Sequence, residues 1–439
     1  MLTPTGDPTM SRILIALTPV AGRVRPALPL TRALVEGGHE VVVYTGRAFA
    51  GSISELGAQA APMVDGRDVE GTGARTADRS APRRGIRRLR WEVLNLVVDQ
   101  VPGYLKDIEG IIAAEPPDVI VMDDAFIAGA IAARVHDTPS VLFTVSPFAR
   151  SHRDLVPFGQ GPHPTAGRVR RALRLALAAL VRNVILRKAQ HAAQGQVRDA
   201  GLEVPAGLFL DWAQTFATKV LHASVPSFEH PRGDLPENAE LVGPLLPAEV
   251  RHVDAPAWWG DVVAARRLAR PVVLVTQGAV ATDAQRLVWP AAEGLQFEDV
   301  LVVATAPPSA AMPDNMRAER FMPFDRLLPM VDVLVTDGAF GGVQQALAAG
   351  VPVVVAGRTE DRAEVGARVE RSGVGVVLKA RHGSDATSPG AVRAGVLTVL
   401  GDPSYRRRAA ELADEYARHD GLARTTAVVE ELALGHPVP

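Results

Sequence analysis

The sequence predicts an α/β protein with two lobes, each built on a doubly wound parallel sheet, and three observations carry this prediction. First, 439 residues are too many for one compact core and most naturally form two domains of roughly 200 residues each. Second, the amino-terminal stretch has the pattern of strand, helix and strand, "RILIALTPV" followed by "PALPLTRALVEGGHEVVVYTG". Third, apolar runs of strand length recur between helical segments, which is typical of parallel sheets.

Each half of the chain has its own series of strands. In the first, "PPDVIVMDDAFIAGAIAARVHDTPSVLFTV" places a helix between strands near 118–122 and 140–145. In the second, the series is "RPVVLVTQG", "EDVLVVATA", "DVLVTDG", "VPVVVAG" and "VGVVL". Between them, "LVGPLLPAEVRHVDAPAWWGDV" is proline-rich and weakly periodic, like an interdomain linker. We therefore expect an amino-terminal domain over 1–241, a linker over 242–262, a carboxyl-terminal domain over 263–420, and a last segment, 421–439, packing back towards the first domain.

Composition excludes several kinds of site. The chain has no cysteine, which rules out disulfides, thiolate nucleophiles and cysteine-ligated zinc. A formal net charge of -2 with 47% hydrophobic residues gives no sign of nucleic-acid binding. The start, "MLTPTGDPTMSR", lacks the pattern of a signal peptide, and Pro19 and Gly22 interrupt "ILIALTPVAG" too early for a membrane span. We expect a cytoplasmic protein without a metal site or a transmembrane segment.

A glycine-rich turn joins a strand to a helix in "VLVTDGAFGGVQQALAAGVPVVVAG". Its glycines, Gly338, Gly341 and Gly342, let a ligand approach the backbone closely. Free N–H groups at the start of the helix, together with the helix dipole, favour a phosphate there. Because many tight strand-to-helix turns use glycine, this turn by itself fits a structural role as well as a binding role.

The wider context resembles a known family. The segments "TDGAFGGVQQALAAGVPVVVAGRTEDRAEVGARVERSGVGVVL", "RPVVLVTQGAVATD" and "FMPFDRLLPMVDVLVTDG" are similar to the donor-binding signature of GT-B glycosyltransferases, in particular the macrolide-type, natural-product branch of the UDP-glycosyltransferase family. "ILIALTPVAGRVRPALPLTRALVEGGHEVVVYTG" is similar to the family's amino-terminal turn. The resemblance extends from about Arg12 to Leu434 and implies two Rossmann-like lobes facing a central cleft.

The resemblance also implies a function, that of an inverting glycosyltransferase of antibiotic or other natural-product biosynthesis. Such an enzyme moves a hexose or deoxyhexose from a UDP- or dTDP-sugar to a small acceptor and needs no cofactor besides this donor. The residues implied at the donor are Gln277 and Gly278 near the diphosphate, Phe321, Pro323 and Phe324 near the base and ribose, Asp337, Gly338, Gly341, Gly342 and Val343 in the diphosphate turn, and Glu360 and Asp361 beside the sugar hydroxyls. Those implied on the acceptor side are Gly22, Arg23, Ser146 and Phe148.

Two segments of the first half are basic. They are "RTADRSAPRRGIRRLR", between Arg75 and Arg90, and "GRVRRALRLALAALVRNVILRK", from Gly167 to Lys188, which has the spacing of an amphipathic helix. The simplest interpretation is a solvated arginine face over an apolar stripe. Binding of an anionic acceptor and weak contact with an anionic membrane surface are the alternatives.

The chain departs from the family at the expected catalytic base. The family places a histidine after the glycine of the first turn, where an aspartate orients it, whereas here Gly22 is followed by Arg23. A guanidinium, with a pKa above about 12, stays protonated and cannot act as a general base. The candidate bases are then Asp123, Asp124 and His152. Alternatively, an Arg–Asp ion pair replaces the His–Asp dyad, and an amine or acidic phenol acceptor needs little help from a base.

The second departure is Asp337, where relatives commonly have histidine or asparagine. An ionised carboxylate about 4 Å from a diphosphate charge would repel it by on the order of 4 kcal/mol at an effective dielectric of about 20. Either Asp337 points away from the donor, or Arg358 or Arg362 neutralises it, or donor binding is impaired.

Three functions remain open on the sequence. The first is glycosyl transfer, with a different base or with none. The second is a non-catalytic protein of the same fold that acts as a partner in a pathway. The third is another reaction on an anionic small molecule held by Arg23, whose planar guanidinium binds carboxylate or phosphate through two bonds. We favour the first, because the "QG", "GG" and "ED" elements that shape a donor cleft are retained.

Overall fold

A computed structural model of the chain describes residues 10–68, 86–147, 179–230, 235–245, 254–277, 284–357, 362–378 and 387–435. These residues form two separate sheets in which every strand pairing is parallel, and helices cover the faces of both sheets. The prediction of two doubly wound α/β lobes is confirmed.

The first sheet is made by the amino-terminal half of the chain. Its strands are β1 Arg12–Ala16, β2 Glu40–Thr45, β3 Gln59–Pro62, β4 Val119–Asp123, β5 Ser140–Thr144, β6 Lys219–His222 and β7 Ala239–Leu241. Their spatial order is β3-β2-β1-β4-β5-β6-β7. The order reverses direction between β1 and β4, and in such sheets ligands bind beyond the carboxyl ends of the strands at this point.

The second sheet follows the same plan. Its strands are β8 Val272–Thr276, β9 Leu301–Thr305, β10 Met316–Glu319, β11 Val333–Thr336, β12 Val353–Val355 and β13 Gly375–Val377. Their order, β10-β9-β8-β11-β12-β13, reverses between β8 and β11. The loops after these two strands are therefore the expected ligand-binding edge of the second lobe.

The helices of the described residues connect and cover these strands. They are α1 Ala21–Glu36, α2 Ala50–Ser54, α3 Ile86–Glu92, α4 Val101–Ala114, α5 Ile127–Val135, α6 Arg187–Asp199, α7 Trp212–Phe216, α8 Trp259–Arg267, α9 Val288–Leu295, α10 Phe324–Leu327, α11 Phe340–Ala348, α12 Arg362–Ser372, α13 Pro389–Gly401, α14 Pro403–Tyr416 and α15 Gly421–Ala433. Among the described residues, no helix is long and apolar enough to span a membrane.

Strand β1 shows why these apolar runs become central strands. Leu14 and Ala16 join the hydrophobic cluster on one face of the sheet, and Ile13 and Ile15 join the cluster on the other. A strand covered by helices on both faces needs apolar side chains at every position, so its sequence is a continuous run without alternation.

The last helix returns to the first lobe. Val428 and Val429 of α15 belong to the same hydrophobic cluster as residues of β1 and α1. Arg424 of α15 also forms two hydrogen bonds with the Glu240 carboxylate, at 2.8 and 2.9 Å. The carboxyl end of the chain is thus fastened to the amino-terminal sheet.

One boundary differs from the sequence prediction. Helix α8 begins at Trp259, inside the stretch 242–262 that was expected to be linker. Trp258 and Trp259 pack against the hydrophobic cluster of the second lobe, which explains why the regular structure starts earlier than the proline-rich pattern indicated.

Candidate functional site

The acceptor-side turn lies between β1 and α1, at the carboxyl edge of the first sheet. Because β4 pairs with β1 and β5 pairs with β4, the residues that follow these three strands meet at this edge. Helix α1 begins at Ala21, so Arg23 occupies its first turn. Nη1 of Arg23 lies 2.6 Å from Oδ1 of Asp124, which follows β4. The position that the family gives to a histidine therefore carries an ion pair.

Asp124 is held on both of its carboxylate oxygens. Besides Arg23 on Oδ1, it accepts hydrogen bonds on Oδ2 from Ser146 Oγ at 2.5 Å and from Thr144 Oγ1 at 3.0 Å. The side chains of Arg23 and Asp124 are only 21% and 13% exposed. A carboxylate held in this way orients the guanidinium and is poorly placed to accept a proton from an acceptor.

Asp123 points into the protein rather than towards a ligand. Its carboxylate is fully buried and accepts hydrogen bonds from the Thr18 N–H at 2.6 Å, the Thr18 hydroxyl at 3.0 Å and the Ala125 N–H at 2.9 Å. Burial raises the pKa of this carboxyl, and the charge of Asp124 adds to the rise while that of Arg23 opposes it. Asp123 thus ties the end of β4 to the turn after β1, and its burial argues against the role of base.

The other acceptor-side predictions divide between buried, exposed and undescribed residues. Gly22 is exposed, and a Cβ added there would meet no described atom within 4 Å. Ser146 is buried and donates a hydrogen bond to the Asp124 carboxylate. Phe148 and His152 lie outside the described residues, so His152 stays a sequence prediction.

The predicted diphosphate turn connects β11 to α11. Gly338 has a φ of 94°, and an added Cβ would approach Val355 to 2.9 Å, so the turn itself requires this glycine. Gly341 and Gly342 lie in the first turn of α11, and a Cβ added at either would meet no described atom outside their own helix within 4 Å. Internal packing therefore does not explain these two glycines. Val343 is buried in the core beneath them.

Asp337 stands at the start of this turn and is paired. Its Oδ2 lies 3.0 Å from Nη2 of Arg362, and its Oδ1 accepts a hydrogen bond from the Ala339 N–H at 3.2 Å. The Asp337 and Arg362 side chains are 14% and 19% exposed. Of the alternatives that the sequence left open, neutralisation by Arg362 matches this geometry, while Arg358 lies outside the described residues.

Gln277 follows β8, next to β11 in the sheet. Its side-chain oxygen accepts hydrogen bonds from the Leu287 and Val288 N–H groups, both at 3.0 Å, and the residue is buried. The side chain thus caps the start of α9 and places the backbone after β8 beside the diphosphate turn.

The remaining donor predictions are only partly described. Phe321 is 70% exposed, Pro323 precedes α10, and Phe324 is its first residue, partly buried. Gly278, Glu360 and Asp361 lie outside the described residues.

The two lobes meet beside the diphosphate turn. The ring of His222, at the end of β6, stacks on Phe340, the first residue of α11, with ring centroids 5.9 Å apart. One helical turn later, the Gln344 amide donates to the Ala223 carbonyl at 2.9 Å, and the Tyr416 hydroxyl donates to the same side chain's oxygen. The carboxyl edge of the first sheet is therefore in direct contact with the helix that begins at the diphosphate turn.

A buried charged network, which we call the junction cluster, supports this contact. It consists of His222, Glu229 and Arg368. The Glu229 carboxylate lies 2.9 Å from His222 Nε2, and on its other oxygen it accepts bonds from Arg368 Nε at 2.9 Å and Nη2 at 2.8 Å. Burial alone raises the pKa of Glu229, but the Arg368 charge and His222 outweigh it and hold the pKa well below its usual range.

Sequence reasoning missed the junction cluster. Arg368 lies on the buried face of α12, between Val365 and Val369, so a charge at a core position of the helical pattern was the available signal. Its partner Glu229 is 139 residues away along the chain, in a segment without regular structure. Periodicity within one helix gives no means of pairing the two.

In the described part of the second basic segment, the arginines lie at the surface, while Leu186 is buried in the core of the first lobe. Arg182 and Arg187 are exposed, and with His191 they line an open cavity of about 590 Å³ beside residues 204–207. No group of histidine, aspartate and glutamate side chains suited to a metal ion occurs among the described residues.

Comparison with known proteins places these features in a family. Residues 295–432 match the model of the Erythromycin biosynthesis protein CIII-like, C-terminal domain. The whole chain is similar to 4'-demethylrebeccamycin synthase of Lentzea aerocolonigenes, with 39% identity over 428 residues that cover 96% of this chain and 99% of that protein.

Solved structures share the fold across nearly the whole chain. The calicheamicin glycosyltransferase CalG4 superimposes with a TM-score of 0.75 at 22% identity and covers 98% of this chain and 100% of its own. The spinosyn rhamnosyltransferase SpnG complexed with thymidine diphosphate gives a TM-score of 0.67 at 21% identity, covering 95% of this chain and 99% of that one. These likenesses establish the two-lobed architecture.

Proposed function

Because this chain belongs to the macrolide-type, natural-product branch of the GT-B UDP-glycosyltransferases, we propose that it moves a hexose or deoxyhexose from a UDP- or dTDP-sugar to its acceptor with inversion at the anomeric carbon. Glycosyl transfer from a nucleotide sugar to a small natural-product acceptor follows from family membership. We propose in addition that the nucleotide is UDP or dTDP, that the anomeric carbon is inverted, and that individual residues have the roles given below.

The observation that carries this proposal is the pair of glycines at the start of α11. Among the described residues, no atom outside α11 would meet a Cβ added at Gly341 or Gly342, so contacts within this part of the chain do not require either glycine. The first N–H groups of a helix have no partner within the helix. Together with the partial positive charge at the start of the helix, they favour binding of an anion. A diphosphate lying on this turn accounts for both glycines, because any side chain there would stand between the phosphate oxygens and the N–H groups.

The reaction that fits this arrangement is a direct displacement. The acceptor atom forms a bond to C1 of the sugar while the bond from C1 to the diphosphate oxygen breaks, and the electron pair leaves on that oxygen. The proton of the acceptor group passes to water. The negative charge that develops there would face the N–H groups of Gly341 and Gly342, whose donors are fixed before the reaction. In this proposal Phe321, Pro323 and Phe324 lie near the base and ribose, and Glu360 and Asp361 beside the sugar hydroxyls.

The acceptor-side turn supports a transfer that needs little general-base help. Arg23 stays protonated, Asp123 is buried, and Asp124 is paired with Arg23 and accepts hydrogen bonds from Thr144 and Ser146. General-base catalysis contributes about 10²–10⁴-fold when an alcohol attacks, whereas an amine has a free electron pair and an acidic phenol loses its proton easily. We therefore propose an amine or an acidic phenol as the acceptor group, with His152 the remaining candidate base for a hydroxyl.

Nucleotide binding tests the donor assignment. Isothermal titration calorimetry of the full chain with UDP and with dTDP at millimolar concentration is expected to give heat for at least one of them, together with a rise in melting temperature. UMP or dTMP should bind more weakly, because each lacks the β-phosphate, to which the transferred sugar is attached in the donor. If neither diphosphate gave heat or a thermal shift, the donor assignment would be wrong.

Arg23→His tests the acceptor-side turn. It places an imidazole beside Asp124, which restores the family's dyad, so transfer to an alkyl alcohol is expected to rise by about tenfold or more. Initial rates with an aryl amine, an acidic phenol and an alkyl alcohol provide the measurement. Arg25→His is the matched control, since it adds a histidine to an exposed position of the same helix. Adding Asp124→Asn to Arg23→His should remove the gain. Equal rates for Arg23→His and the wild type with the alcohol would contradict the proposed geometry.

A further inference from the structure

We propose that Arg362 is a positioning residue of the donor site, which neutralises Asp337 so that the turn receiving the diphosphate presents no uncompensated negative charge. The proposal rests on the donor role of this turn proposed above. It concerns a pair of side chains in which one, Asp337, replaces a neutral or donating residue of the family, and the other lies 25 positions later at the start of α12.

The pair is built into the fold. Arg362 packs against the backbone that follows β12, because a Cβ added at Gly357 would lie 2.7 Å from Arg362 Cδ and 1.9 Å from the Asp337 carbonyl oxygen. A Cβ added at Gly338 would lie 3.4 Å from Arg362 Cβ. Two glycines thus make room for the arginine stem, and its guanidinium reaches Asp337 Oδ2 at 3.0 Å with both side chains largely shielded from water.

The orientation of Asp337 keeps the anion-binding groups available. Its Oδ1 accepts the Ala339 N–H, which precedes α11, and its Oδ2 faces Arg362. Neither contact uses the N–H groups of Gly341 or Gly342. Because Ala339 is two residues before Gly341, a diphosphate on these N–H groups would lie near the Asp337 carboxylate, and Arg362 supplies the opposite charge 3.0 Å from that carboxylate.

This arrangement has a consequence that a purely structural pair would not have. With Arg362 removed, the Asp337 charge opposes the diphosphate and affinity falls. With both charges removed, the repulsion disappears and affinity returns. If the guanidinium instead bound the diphosphate itself, removing Asp337 as well would not restore affinity.

The test is a charge cycle on the full chain, read by calorimetric titration with UDP and dTDP. Arg362→Gln is expected to weaken binding of the diphosphate by about 10–100-fold, as loss of a neutralising charge near a second charge does. Arg362→Lys, which keeps the charge, and the double variant Asp337→Asn with Arg362→Gln, which removes both charges, are expected to stay within about threefold of the wild type. Asp337→Asn alone leaves a positive charge beside the diphosphate and should bind it more tightly. The deficit of Arg362→Gln should shrink as ionic strength rises, because salt screens like-charge repulsion.

A control and three outcomes make the test decisive. Arg317→Gln, which breaks an ion pair with Asp261 elsewhere in the same lobe, should leave nucleotide affinity unchanged. A double variant as weak as Arg362→Gln would overturn the proposal, since Arg362 would then contact the nucleotide directly. Wild-type affinity in Arg362→Gln would overturn it too. A wild-type protein that binds neither nucleotide would instead refute the donor role on which this inference rests.

Discussion

Replacing Arg368 by methionine is expected to lower the free energy of unfolding by about 3–5 kcal/mol, because it leaves a buried carboxylate without its counter-ion. Arg368 and Glu229 are 1% and 5% exposed, and two guanidinium nitrogens contact one carboxylate oxygen within 2.9 Å. Methionine keeps much of the arginine stem's volume, so the loss would reflect charge and hydrogen bonding more than a cavity. Urea unfolding followed by circular dichroism and by tryptophan fluorescence measures it.

Two controls separate burial from charge. Arg393→Met breaks an exposed ion pair with Glu298 and should cost less than about 1 kcal/mol. The double variant Glu229→Leu with Arg368→Met removes both charges and should recover much of the stability, because replacing a whole buried pair by apolar residues is often close to neutral. A loss below about 1 kcal/mol in Arg368→Met alone would mean that Glu229 finds other compensation.

The junction cluster also makes the stability of the protein sensitive to low pH. A glutamate whose folded-state pKa is lowered contributes stability that is fully present above its unfolded pKa, about 4.3, and is lost as the pH falls through the folded value. Wild-type stability is therefore expected to decline on acidification below about pH 4.3, and the double variant should lack the part that Glu229 contributes. Melting temperatures of both proteins across this range provide the comparison.

The junction cluster also connects stability to the donor site. Glu229 holds His222, whose ring stacks on Phe340, the first residue of α11. The junction cluster thus fixes the first sheet against α11. On the proposed function, a change in the junction cluster is expected to alter the distance between the bound acceptor and the bound donor, although none of its residues contacts them. Precise positioning of reactants accounts for a large part of catalysis in group transfer.

The sequence predicted the fold well because both sheets are parallel and covered on both faces. Each central strand is a continuous apolar run, as in "VVLVT" of β8, and such runs stand out from the helices between them. The structure places the turn after β1 and the glycines after β11 at the carboxyl ends of parallel strands, which is the edge where ligands bind in such sheets. Helix α8 begins inside the predicted linker because packing of Trp258 and Trp259, rather than local periodicity, decides its start.

What escaped prediction depends on contacts between distant segments. The sequence offered an Arg–Asp ion pair at Arg23 but did not show which of the two adjacent aspartates forms it, because the side chains of neighbouring residues at a strand end point in different directions. Likewise, the sequence offered Arg358 and Arg362 as partners of Asp337, and the ion pair with Arg362 depends on how α12 packs beside the turn, which local sequence does not show.

Replacing Gly341 by alanine is expected to maintain or increase the stability of the protein while weakening its binding of the nucleotide. An added Cβ meets no described atom outside the helix, and alanine is the better helix former, so the free energy of unfolding should stay the same or rise by up to about 1 kcal/mol. Binding of UDP or dTDP should weaken by about 10–100-fold, since the methyl group stands where the diphosphate approaches the first N–H groups of α11 and charge-assisted hydrogen bonds are lost. Gly342→Ala should behave in the same way.

Gly110→Ala is the matched control for this pair of outcomes. Gly110 is an exposed glycine inside α4, where an added Cβ also meets no described atom within 4 Å, but it lies in the first lobe away from the diphosphate turn. Its replacement should raise stability by a similar amount and leave nucleotide affinity unchanged, as measured by urea unfolding and calorimetry on the same samples. If Gly341→Ala and Gly342→Ala bound nucleotide as tightly as Gly110→Ala, the glycines would serve only the helix start, and the diphosphate would have to lie elsewhere.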